Sequence, residues 1–211
     1  MRTALFTALA ATFLMGFSLF GWGKPSVPTK PVTLKKHAEE IGQLLENSGW
    51  VSPGLDGPAI YKISFRACPD CVRFKEDAFP RLHQAGVDTR VIVFAREDRN
   101  GKPRSTVGER AAIAEIWKHR DWDFYSQWFD IPMSVYDTLE DRPPNVEGDP
   151  ERLALVDKSQ IFNARMRELL AQNGVQIAYP AILWKVDGKW RICMCEKPKQ
   201  VEMMLNELGV S

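Results

Sequence analysis

The chain has 211 residues, 45% of them hydrophobic, and a formal net charge of +1. That length buries one good core and predicts a single domain with additions. The near-neutral charge gives no electrostatic case for nucleic acid, and four cysteines are too few to staple a scaffold of this size.

Arg2 precedes an apolar run from Ala4 to Phe20, followed by Gly21-Trp22-Gly23. This is the pattern of a signal peptide cut before Lys24, or of an uncut membrane anchor, over residues 1–23. Lys24 to Pro31 holds Pro25, Pro28 and Pro31 and reads as an extended tether. A short helix is expected from Leu34 to Asn47, where Leu34, Ala38, Ile41, Leu44 and Leu45 share a face; residues 24–58 thus form a tether and short helix.

Ala59 to Phe65 alternates as a strand does, and a helix carrying Val72, Phe74, Ala78 and Phe79 follows. Pro80 is expected to kink or divide that helix. Thr89 to Ala95 reads as a strand buried on both faces. Thr106-Val107-Gly108-Glu109 fits a capping box at the start of a helix. The aromatic stretch Trp122 to Phe129 is expected to be helical, and the polar break from Asp141 to Pro150 closes a helical insert over about residues 104–150.

Glu151 to Asn173 is a long helix that Gly174 stops. Ile182 to Val186, Asp187-Gly188 and Trp190 to Cys195 form a hairpin, and a helix from Pro198 to Leu208 ends the chain. Parallel strands joined by helices and finished by an antiparallel hairpin describe an α/β thioredoxin-like fold over residues 59–211, interrupted by the helical insert.

Cys68-Pro69-Asp70-Cys71 falls where the first strand gives way to its helix. The free N–H groups and dipole of a helix N-terminus stabilise a thiolate at Cys68. Cys71, one turn inside, is then the buried thiol that resolves a mixed disulfide. Pro69 stiffens the turn, and the Asp70 carboxylate opposes thiolate formation at Cys68, so this pair tunes the couple. Pro180 is expected to be cis, exposing the Tyr179 backbone to an extended substrate. Cys193 and Cys195 alternate with Met194 on the returning strand; they are a candidate second redox pair, a local bridge, or buried thiols. A four-thiolate zinc site is the metal alternative, but Cys193-Met194-Cys195 is tighter than zinc ligand spacing. His37, His83 and His119 show no ligand spacing.

Four segments resemble the bacterial periplasmic disulfide isomerases and their thioredoxin-fold relatives. They are Phe65 to Cys71, Ala85 to Arg96, Ala114-Glu115-Ile116-Trp117, and Gly174 to Ile182. The sequence departs from that family at Tyr179, where the isomerases usually carry threonine, and at Lys118, where they carry a structural cysteine. Residues 24–58 are also too short for the full dimerisation domain of those proteins.

The resemblance implies an extracytoplasmic thiol–disulfide oxidoreductase, a reductase or isomerase, with Cys68 and Cys71 catalytic and Tyr179 and Pro180 binding substrate. A periplasmic location is expected, with the N-terminal segment either cut off as a signal peptide or kept as a tether to the inner membrane. Partners would be proteins with cysteines and a redox partner protein; no organic cofactor or metal is required. The alternative is a non-enzymatic binding or assembly module for an envelope or secretion/conjugation system, with the disulfide structural.

Overall fold

The computed structural model describes residues 25–210; the expected signal or anchor segment lies outside the described residues. No helix among the described residues is long and apolar enough to cross a membrane.

Among the described residues five strands, the first being β1 (Val32–Thr33), form one mixed sheet in the order β1-β5-β4-β2-β3. β2 (Ala59–Ser64) and β3 (Asp88–Val93) run parallel, joined by α2 (Pro69–Gln84). β4 (Ala181–Val186) and β5 (Lys189–Cys193) form the antiparallel hairpin, and β4 pairs antiparallel with β2. Asp187 and Gly188 both take positive φ at the hairpin tip, the geometry that lets a two-residue turn follow the strand twist.

Because strand side chains alternate, the sheet buries both faces. Ile60, Val91, Val93, Ile182, Trp184 and Cys193 meet α2, α3 (Val107–His119), α4 (Trp122–Asp130) and α7 (Pro198–Leu208). Tyr61, Ile63, Ile92, Leu183 and Ile192 meet α1 (Ala38–Glu46) and α6 (Pro150–Gln172). A short helix, α5 (Met133–Tyr136), follows α4. Three layers result, with helices on both sides of the sheet.

The insert is held at both ends. The Thr106 hydroxyl accepts from Glu109 N at 3.0 Å and the Glu109 carboxylate accepts from Thr106 N at 3.3 Å, closing the capping box that starts α3. The Trp117 indole donates to Val93 O at 2.8 Å and pins the end of α3 to β3. Asp149 caps α6 by accepting from Glu151 N and Arg152 N, both at 3.1 Å, and Pro150 takes the first helical position.

Four details differ from the sequence reading. Lys24 to Pro31 was expected as an extended tether; its described part, Pro25 to Pro31, is stitched to the domain. Ser26 N donates to Gly174 O at 3.1 Å and Met194 N to Pro28 O at 2.8 Å, and β1 (Val32–Thr33) pairs with β5. Leu34 is therefore not helical; it follows β1, and α1 starts only at Ala38. Pro80 lies inside an undivided α2: the intrahelical bond it forgoes belongs to an exposed turn where water can take the free carbonyl of Glu76. β5 stops at Cys193 instead of running to Cys195. The two Cα atoms there are 5.1 Å apart, whereas an extended strand would hold them about 6.7 Å apart.

Candidate functional site

β2 ends at Ser64, and the next three residues turn the chain so that Cys68 becomes the N-cap of α2. Pro69 occupies the first helical position, where its missing N–H costs nothing. Cys68 and Cys71 are joined as a disulfide with Cα atoms 5.2 Å apart. Cys71 N donates to Cys68 Sγ at 3.1 Å and shares its hydrogen with Cys68 O, also at 3.1 Å, so a first-turn helix amide reaches the first sulfur. A thiolate formed there would keep that bond and gain charge stabilisation from the helix terminus.

Exposure separates the two cysteines. Cys68 keeps 5% of its surface and Cys71 none. Only the first can meet a macromolecular disulfide from outside. Asp70 stands between them on the exposed first turn, and its carboxylate pairs with Arg73 one turn on. That guanidinium offsets part of the repulsion Asp70 exerts on Cys68.

The Tyr179–Pro180 peptide bond is cis. The loop it shapes lies across from α2, with Tyr179 O 3.6 Å from Cys68 Sγ. In the reduced state a Cys68 thiol at that distance can donate weakly to this carbonyl. The Tyr179 ring is fixed from three sides: its hydroxyl donates to Asn163, and it packs on Phe65 and Phe94 with centroids 5.5 and 5.1 Å away. Burial raises that phenol to about 12 against the lowering pull of Arg167 and the Asn163 bond, so it stays neutral and acts as a fixed surface.

Beneath the pair lies a residue that sequence reasoning passed over. Lys62 is the third residue of β2's buried core and is 0% exposed. Its Nζ donates to Cys71 O at 2.9 Å and sits among the rings of Phe74, Phe79 and Phe129, 5.0 to 5.8 Å from their centroids. Desolvation, with the charge of Lys75 second, brings its ammonium down to about 7. The one available signal was its place: an even position in a strand whose neighbours on that face, Ile60 and Ser64, are also buried. Arg66, two residues before Cys68, was likewise missed. Its guanidinium donates to Ile131 O and lies over Phe129 at 5.0 Å, which couples the helical insert to the turn that carries Cys68.

Cys193 and Cys195 form their own disulfide and are both fully buried. Register places Lys62 opposite Ile182, and Ile182 opposite Cys193, on one face of the sheet. Ile182 therefore stands between Cys193 and the lysine under Cys71, and each cysteine pair is closed on itself. The structure brings Cys68, Cys71, Pro69, Asp70, Tyr179 and Pro180 together and leaves Cys193 and Cys195 two strands away. Among the described residues no group of three or more His, Cys, Asp or Glu side chains is arranged to hold a metal ion.

The fold is thioredoxin-like. A periplasmic thioredoxin-like protein from Salmonella enterica serovar Typhimurium superposes with a TM-score of 0.54 at 14% identity, covering 83% of this chain and 99% of that one. MdbA, a thiol-disulfide oxidoreductase from Corynebacterium diphtheriae, gives a TM-score of 0.44 at 15% identity over 72% of this chain and 83% of its own. Oxidised BdbD from Bacillus subtilis gives 0.40 at 18% identity, with 88% and 97% covered. No family model matches the sequence, and no curated protein sequence matches it.

Proposed function

We propose that this chain is an extracytoplasmic thiol–disulfide oxidoreductase, acting as a reductase or isomerase on proteins that contain disulfides. The observation that carries the reading is the Cys68–Cys71 disulfide at the N-terminus of α2, with the carbonyl of Tyr179 beside the outer sulfur. In the reduced protein the Cys68 thiolate attacks one sulfur of a substrate disulfide. A mixed disulfide forms and one substrate thiolate leaves. Cys71 then attacks Cys68 Sγ, freeing the second substrate sulfur and closing the Cys68–Cys71 disulfide. The substrate has gained two electrons and the protein has lost two; a thiol-bearing redox partner restores the dithiol.

Tyr179 and Pro180 present backbone to an extended substrate chain, which can pair there as an added strand. The Cys193–Cys195 bridge serves as a buried local clamp where β5 ends, since neither sulfur meets solvent. Residues 1–23 direct export or anchor the chain, which places the domain in the oxidising periplasm.

Insulin reduction tests the reading. The wild-type protein with an external dithiol should precipitate the insulin B chain, and Cys68→Ser should abolish this. An inactive wild type that still binds a partner protein through the Tyr179–Pro180 face would instead make the chain a binding module.

A further inference from the structure

A second feature opens beside the reactive sulfur. A cavity of about 210 Å³ is lined by Phe65, Phe94, Arg96, Arg104, Arg167 and Tyr179, among others. Two of these residues belong to the site itself: Phe65 lies three residues before Cys68, and Tyr179 carries the carbonyl that touches its sulfur. We propose that this cavity is a specificity subsite that takes a carboxylate side chain of the substrate polypeptide next to its reacting cysteine. The inference rests on the oxidoreductase reading and names the substrate class for it.

Three guanidinium groups converge on the cavity, and the only carboxylate in its lining is Glu97. Arg96 is held in place: it lies over Phe65 at 5.1 Å, donates to Arg104 O and pairs with buried Glu109 at 3.8 Å. Neither Arg104 nor Arg167 has an ion pair among the described residues, and both are exposed. After Glu109 and Glu97 are counted, one guanidinium charge is left uncompensated at the mouth. A carboxylate supplies that charge and can accept two parallel N–H bonds from one guanidinium fork.

The floor sharpens the preference. Phe65, Phe94 and Tyr179 pack edge to face or tilted, with centroids 5.1 to 5.8 Å apart. The aromatic wall excludes water from the Phe65 side of Arg96 and strengthens that guanidinium's attraction for an anion. Tyr179 builds this wall by packing on both Phe65 and Phe94. The cavity is large enough for one side chain and too small for a folded segment, which suits a residue flanking the substrate cysteine.

The test uses two peptides closed by an internal disulfide, identical except for Glu or Gln at the residues flanking one cysteine. Their reduction by the reduced full-length protein is followed as a second-order rate. The wild type should reduce the Glu peptide at least about fivefold faster at low salt, and added salt should shrink that ratio. In the Arg104→Ala/Arg167→Ala variant the Glu-to-Gln ratio should fall towards one; a ratio does not depend on the fraction of protein that folds. Equal rates for both peptides in the wild type, or a preference that survives in the double variant, overturn the subsite alone. Failure to reduce either peptide overturns the oxidoreductase reading, and the subsite with it.

Discussion

Lys62 is the residue whose chemistry departs most from its surroundings. A lysine at 0% exposure, with a carbonyl oxygen and three phenylalanine rings around it and no carboxylate paired to it among the described residues, holds its charge at a cost. With its folded value at about 7 and its ordinary value at 10.5, the native chain releases this proton before the unfolded chain does. Across that interval the unfolded state binds more protons, so stability rises with pH and levels off above it. Urea unfolding of the disulfide-bonded protein should show Lys62→Met losing that rise. The variant's advantage over wild type should shrink by of order 1–2 kcal/mol between about pH 7 and pH 9. An advantage constant with pH would mean that Lys62 stays protonated in the fold. At Asp70 the prediction concerns the sulfur. Asp70→His should let the Cys68 thiol ionise at lower pH, read from thiolate absorbance in the reduced protein. The effect is moderated because Arg73 already pairs with the carboxylate. An unchanged or higher value would remove Asp70 from the tuning of the couple.

At the scale of elements, legibility followed periodicity. β2, β3 and the hairpin were readable because apolar runs of strand length end at turn residues, and α3 because Thr106 and Glu109 stand three apart ahead of an apolar face. β1 was not, since two residues paired along an edge carry no period to detect. α5 has one turn and the same difficulty. The end of β5 escaped because alternation through Cys195 continues on paper, while the Cys193–Cys195 bridge pulls the chain out of extension. At the site, Cys68, Cys71 and Pro180 announced themselves by type and spacing. Lys62 and Arg66 did not, because a charged residue beside an active turn reads as solvated until packing is known. The capping box gives this scale its prediction: Thr106→Ala removes the acceptor for Glu109 N and should cost about 1 kcal/mol in urea unfolding. A change within experimental error would mean that the Glu109 half of the box suffices to start α3.

For the whole molecule, the sheet is the frame that brings two distant segments to one sulfur. β2 delivers the turn before Cys68, β4 begins just after Pro180, and their pairing of Ile63 with Ala181 fixes the distance between the two. The segment before α1 belongs to this frame, since β1 covers the outer edge of β5 and Leu34 is buried against the α1–α6 side. Leu34→Ala should therefore destabilise the domain by about 2–4 kcal/mol, within the range for a buried leucine, and a loss below about 0.5 kcal/mol would mark the segment as a loose tether. The central claim concerns a disulfide that opens and closes in service. Its direct measure is the equilibrium reduction potential of the Cys68–Cys71 couple against a thiol buffer. A catalytic pair should fall between roughly −270 and −120 mV; a value below about −300 mV would make the bridge structural and contradict the account.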